Sequence, residues 1–253
     1  MKKLVQFILL NFTDALREKL FVSVVFFFLI LLGLSFFLSV LSVGESTRVL
    51  RGSGLSVMEI TGLLLIIISF TFSFYRDKTS RMLEIYLSYV PRYVYTASKV
   101  FAYILIVFCY LLVAGLFWAG VLQLNSAFFW NSWAGIFSLF LKLCLAVFLS
   151  LFFCTLCSSP TLALLSTIFI YFSGSIVSEA LRLADIYFKS QLSKTVLFGL
   201  SYTLPNLDKL DLKYQLIYGQ IPGYAFFGTA IIYTVCYCLF LWSVSTLFFS
   251  HKK

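Results

Sequence analysis

The chain has 253 residues, of which 61% are hydrophobic and only 11% charged, with a formal net charge of +9. A soluble domain carries about 25% charged residues. A water-soluble core of this size cannot hide so much apolar side chain, so the composition excludes a soluble protein and indicates an integral membrane protein. The apolar runs are continuous rather than alternating. That excludes a membrane barrel and leaves helices, which satisfy their own backbone inside lipid.

The first element is "MKKLVQFILLNFTDALREK". Lys3, Gln6, Thr13, Asp14 and Arg17 recur near helical spacing, and Leu9, Phe12, Leu16 and Leu20 occupy the other side. This predicts an amphipathic helix over 1–19 that lies on the membrane surface and turns up into the first span. Asn11, Asp14, Arg17 and Glu18 interrupt the run before it resembles a signal-peptide core. Spans follow at roughly 20–43, 57–75, 100–122, 138–157, 161–178 and 224–249. The second and fifth are short, bounded by Glu59 and Glu179, and the sixth is long enough to tilt.

Basic residues orient these spans. With the N-terminus inside, the inner segments hold Lys2, Lys3, Arg17, Lys19, Arg76, Lys78, Arg81, Arg92, Lys99, Lys252 and Lys253, while the short outer loops hold only Arg48 and Arg51. The excess of positive charge puts both termini and the loop 76–99 in the cytoplasm. Lys142 bears on the start of the fourth span. A start near Ser138 leaves it about one turn deep, where it snorkels outward, and 126–137, with Trp130 and Trp133, then forms an outer aromatic belt. The other reading of Lys142 is a substrate-binding charge.

Ser158-Ser159-Pro160 makes a tight hairpin between spans four and five, with Pro160 in the first turn of the next helix. The outer segment 179–223 predicts short helices dipping into the outer leaflet. They serve either as a structural cap or as part of a substrate exit path.

Catalytic constellations are missing. There is no Walker A loop, so ATP binding is not expected of this chain. Asp and Glu fall in loops and span ends, which argues against a proton relay. The lone histidine, His251, offers no metal or acid–base site within the spans. All six cysteines lie in apolar runs and read as small hydrophobes. The alternative, copper(I) at Cys154-x-x-Cys157 or Cys236-x-Cys238, draws on the softness of thiolates.

Between spans two and three the loop offers Arg76-Asp77, Arg81, Glu84 with Leu87, Pro91 with Arg92 and Tyr95, and Lys99. Farther on stand Ser158 and Leu204-Pro205-Asn206. With the N-terminal "DALREK" helix and six spans, this order resembles the membrane subunit of ABC type-2 transporters, most closely the permeases associated with multicopper-enzyme maturation. The glycine common after the acidic cluster in that family is absent here, Thr79-Ser80 standing instead.

The resemblance implies a single permease domain over 1–253 in the cytoplasmic (inner) membrane of a prokaryote. It implies a separate ATPase subunit that binds ATP and Mg, a second permease copy forming a homodimer, and a role in export. It implies that 78–90 forms a coupling helix docked on the ATPase through Arg76, Asp77, Arg81, Leu83, Glu84, Leu87, Pro91 and Arg92. No cofactor is expected in this chain, nor any enzymatic activity or nucleic-acid partner; membrane lipid is its other partner. Gly174, Ser175 and Ser178 suit close helix approach, either at the dimer interface or within one permease. Phe- and Leu-lined spans favour an amphiphilic or lipid-like cargo. The competing reading is a stand-alone carrier driven by an ion gradient, or an assembly scaffold.

Overall fold

The computed structural model describes residues 2–17, 19–42, 45–80, 82–125, 132–187, 204–218 and 223–251. Among the described residues the chain is all α, with nine α-helices. They are α1 (Lys2–Arg17), α2 (Lys19–Leu41), α3 (Ser46–Thr79), α4 (Met82–Tyr89), α5 (Arg92–Leu124), α6 (Ser132–Leu156), α7 (Pro160–Tyr187), α8 (Lys213–Ile217) and α9 (Tyr224–His251), with a 3-10 turn at Asp208–Leu210. Six of them, α2, α3, α5, α6, α7 and α9, are long and apolar enough to cross a membrane. This is a multi-pass helical membrane protein.

The inner bundle is α3, α5 and α6. Helix α3 packs against α2, α5, α6 and α7, and α6 packs against α3, α5, α7 and α9. The outer helices leave Phe26, Phe37, Phe169, Ile232 and Phe240 well exposed. Apolar faces of that extent are a liability in water and ordinary in lipid. Hydroxyls tie the centre together across helices. Tyr103 donates to the Ser69 carbonyl at 3.0 Å and Tyr110 to the Met58 carbonyl at 3.2 Å, so α5 is bonded to the backbone of α3. Helices approach closely where a side chain is missing: the Trp118 indole of α5 lies directly on Gly54 of α3.

Two ends are distinct. At the loop end, Phe7 of α1 meets Tyr86 of α4, Tyr75 of α3 bonds the Cys157 carbonyl in the α6–α7 turn, and Phe249 near the end of α9 stacks on Tyr95 of α5. At the cap end, 204–218 fills the space between α3, α6, α7 and α9. Leu207, Leu210, Leu212 and Leu216 are buried. The Leu207 amide donates to the Gly174 carbonyl at 3.1 Å, the Ser138 hydroxyl to the Leu210 carbonyl, and the Asn206 amide to the Tyr233 hydroxyl at 2.7 Å.

Several helix limits differ from those read in the sequence. The second span, read as 57–75, is the middle of the 34-residue α3, whose first turns lie outside the apolar run and pack on the cap. The third helix begins at Arg92 and the fourth at Ser132, so Trp133 stands in the first turn of α6, while Trp130 lies outside the described residues. Helix α7 starts at Pro160 as expected but runs past Glu179 to Tyr187. Of the segment expected to form short helices, 204–218 holds the 3-10 turn and α8 and packs on protein, because its four leucines find apolar partners there. Residues 188–203 and 219–222 lie outside the described residues.

At Gly174 the backbone of the cap lies directly on the bundle. A methyl group there meets the Pro205 carbonyl oxygen, which as backbone cannot swing aside, whereas one at Gly33 meets nothing within 4 Å. Gly174→Ala should therefore destabilise the protein by about 1–3 kcal/mol, while Gly33→Ala should stabilise it by roughly 0.5–1 kcal/mol. Thermal melts in detergent will check both, and equal shifts would refute the close contact.

Candidate functional site

Two ionic clusters are built into the bundle, one near each end. At the loop end, Asp77 in the last turns of α3 faces Lys99 in the second turn of α5. The Lys99 ammonium is 2.5 Å from Asp77 Oδ2, and the Tyr95 hydroxyl donates to the same oxygen at 2.7 Å. The lysine side chain is fully buried. The rings of Phe74 and Tyr95 each lie 5.7 Å from its Nζ, adding cation–π attraction. Tyr95 in turn is stacked by Tyr86 of α4, with centroids 6.2 Å apart, and by Phe249 of α9. The Arg92 guanidinium donates to the Phe249 carbonyl at 2.9 Å. Burial, with the negative charges of Asp77 and Asp14, pushes the Tyr86 phenol upward, so this ring stays neutral at physiological pH.

Helix α4 is thereby fastened on one side and open on the other. Leu83, Tyr86 and Leu87 pack inward, while Met82, Glu84, Ser88 and Tyr89 face out, joined by Tyr93 of α5. Of the coupling residues read in the sequence, Arg76 is exposed, Asp77 turns inward to Lys99, and Pro91 ends the loop and accepts the Val94 and Tyr95 amides. Arg92 is half-buried against α9, and Arg81 lies outside the described residues. The expected single helix over 78–90 is two pieces. Helix α3 runs to Thr79, the Ser80 amide bonds the Arg76 carbonyl, and α4 starts at Met82.

The cap-end cluster joins four elements. Lys142 of α6 lies about 15 Å along its helix and is 2% exposed. Its ammonium is 2.6 Å from Asp211 and 3.4 Å from Glu59 of α3. Lys213 pairs with the other oxygen of Glu59, and the Tyr171 hydroxyl of α7 donates to Glu59 at 2.8 Å. Asp211 is further held by the Lys213 amide at 2.8 Å. Burial opposes ionisation of Asp211, but Lys142 and Lys213 outweigh it and hold the carboxyl below its ordinary value. A cleft of about 360 Å³ opens beside this cluster between α3 and α7, with Ser175 on its wall.

This cluster corrects two sequence expectations. Lys142 does not snorkel; α6 starts six residues earlier than supposed, and the cap brings a carboxylate to the lysine instead. Glu59, read in the sequence as bounding the second span, is a buried ion-pair partner within α3. Glu59, Tyr171, Asp211 and Lys213 were not singled out as a site. The available signal was an acid in the second apolar run and a base in the fourth, since a charge within a bundle normally has a partner there. Gly174 meets the cap of its own chain and Ser175 bonds the Phe172 carbonyl at 2.8 Å; Ser178 lies on the same helix. Among the described residues the six cysteines are free thiols, and no group of three or more His, Cys, Asp or Glu side chains converges as metal ligands.

Removing one member of a buried pair strands its partner, at a cost of about 3–5 kcal/mol. Lys142→Met should lower the melting temperature sharply, and adding Asp211→Asn should recover part of the loss; a double variant no better than the single would refute the pairing. The sign of the pH effect follows from the depressed Asp211 carboxyl. Its contribution is complete above its unfolded pKa and is lost as pH falls through the lower folded value. Stability should thus fall below about pH 4, and Asp211→Asn should flatten that limb of an acid melt series.

No family model matches the chain, and no curated protein matches it. The residues themselves establish a multi-pass helical membrane protein with a buried ionic cluster near each end of its bundle.

Proposed function

We propose that this chain is the membrane-spanning permease of an ATP-driven exporter, worked by a separate ATPase subunit that docks at the loop end. The observation that carries the reading is α4: a short helix whose inner face is locked to α1 and α5 and whose outer face presents Met82, Glu84 and Tyr89. A surface that receives force from a soluble partner needs a rigid back and a mixed apolar and charged front. The Asp77–Lys99 pair joins the two helices flanking α4, so a push on α4 reaches both α3 and α5. The basic residues of the loop end support a cytoplasmic position for it. The sequence contains no phosphate-binding loop, so ATP and Mg belong to the partner. Two permease copies would form the conduit, in the cytoplasmic membrane of a prokaryote. The exposed Phe and Leu side chains suit an amphiphilic cargo.

One observation favours a second reading. Glu59 and Lys142 are buried ionisable groups in neighbouring spans, the kind of feature an ion-driven carrier uses. Against it, the two carboxylates and two lysines of that cluster are already paired with one another.

The test is a charge reversal at Glu84, on the outer face of α4, and at Arg81, which precedes it in the sequence. In the reconstituted complex, Glu84→Lys and Arg81→Glu should each lower cargo-stimulated ATP hydrolysis by about tenfold, a modest loss of interface energy, while folding and basal hydrolysis persist. Full stimulation in both variants refutes the coupling surface. Transport by the chain without any ATPase refutes the exporter and supports the carrier.

A further inference from the structure

The last turn of α9 reaches α4 through a pile of rings. Tyr86 of α4 stacks on Tyr95 of α5 with centroids 6.2 Å apart and planes at 25°, and Phe249 of α9 stacks on the same Tyr95 at 6.4 Å and 19°. Phe7 of α1 closes edge-on against Tyr86 at 5.3 Å, and Phe74 of α3 against Phe249 at 6.2 Å. Five helices thus give one ring each to one continuous stack. Phe249 is set apart from the other four by where its helix belongs. Helix α9 packs chiefly on α6, and the hydroxyls of Thr234, Ser243 and Ser245 bond carbonyls of α9 itself. At Phe249, by contrast, its backbone is tied to another element. A helix leaves the carbonyls of its last turn without an intrahelical donor, and the Arg92 guanidinium donates to that of Phe249 at 2.9 Å. Arg92 opens α5 directly after Pro91, so this bond fixes the end of α9 to the junction behind α4.

We propose that Phe249 is a positioning residue for the outer face of α4, acting through Tyr95 to set the angle at which Met82, Glu84 and Tyr89 are presented. Two physical points carry this. Helix α4 has eight residues, too few to hold its own direction, so the rings beneath it set that direction. The hydrogen bond from the Tyr95 hydroxyl to Asp77 fixes the tip of the Tyr95 ring but not its plane, because the ring turns about the axis through Cβ and Oη. A flat ring stacked on it removes that freedom, and Phe249, itself anchored by Arg92, is such a ring. Tyr86 then meets a platform of fixed tilt. That α4 is a docking face rests on the exporter reading; that Phe249 orients it does not.

Amide hydrogen exchange tests this on the full chain, purified without an ATPase. Phe249→Leu keeps apolar bulk and removes the ring. It should speed exchange of the amides at 86–90, among them the Val90 amide bonded to the Tyr86 carbonyl, by roughly fivefold, the worth of one lost ring pair. Phe249→Tyr, which keeps the ring, should leave them protected. Leu241→Ala, at a buried position about two turns earlier on α9, should lower the melting temperature at least as far without that selective rise. Unchanged α4 exchange in Phe249→Leu overturns the proposal. So does an equal rise in Leu241→Ala, which makes Phe249 a stability residue only. In the reconstituted complex, Phe249→Leu should also lower cargo-stimulated hydrolysis. If the reversals at Glu84 and Arg81 leave stimulation whole, the docking reading falls and the exchange result stands. If they reduce it while Phe249→Leu does not, the positioning role falls and the docking surface stands.

Discussion

A full charge inside an apolar helical bundle must find its countercharge on a neighbouring element, and that requirement organises this protein. Two lysines, Lys99 and Lys142, are buried among the spans. Helix α3 supplies a carboxylate to each, Asp77 to Lys99 and Glu59 to Lys142. The two acids are eighteen residues apart, which is about five helical turns, so both project from one face of α3. Rotating α3, or sliding it by a residue against α5 and α6, would strand charges at both ends together. Dispersion packing tolerates several registers of smooth helices in lipid; two distant ion pairs on one rod tolerate one.

The features around each pair depend on it. At the loop end the Asp77 carboxylate fixes the Tyr95 hydroxyl, and the Tyr95 ring is the surface on which Tyr86 and Phe249 stack. Helix α4 has only eight residues, too few to persist alone. It is held by these rings and by Leu83 and Leu87. At the cap end Lys142 draws Asp211 inward, and its neighbours Leu210 and Leu212 follow into the apolar space below. Each cluster thus positions a short irregular segment that local helix propensity would not hold.

The six spans were legible in the sequence because continuous apolar runs of about 20 residues have one structural answer in lipid. So was Pro160 as a helix start. The long polar extensions of α3 and α5 were not legible. Hydropathy marks where lipid is, not where a helix ends, and the first turns of α3 are stabilised by the cap rather than by their own composition. The cap-end cluster escaped for a related reason. Glu59 and Lys142 are 83 positions apart, and Asp211 and Lys213 lie in a segment whose polarity reads as an ordinary surface loop. Only the packing of α3 on α6 shows that the four meet.

Helix α3 also connects the two clusters mechanically. Its glycines are filled by neighbours rather than left as hinges: Gly52 by Ile217, Gly54 by Trp118, Gly62 by Tyr110 and Leu143. Of these only Gly62 lies between Glu59 and Asp77, and its packing leaves no glycine gap in the rod between the two acids. The cap rides on the same rod: Lys213 pairs with Glu59, Ile217 lies on Gly52, and the Arg48 guanidinium in the first turn of α3 sits over the Tyr218 ring. If α3 tilts when α4 is pushed, as the proposed exporter requires, the tilt is carried to the cap, whose bonds to α6 through Ser138 and Lys142, to α7 through Gly174 and to α9 through Tyr233 then take the strain.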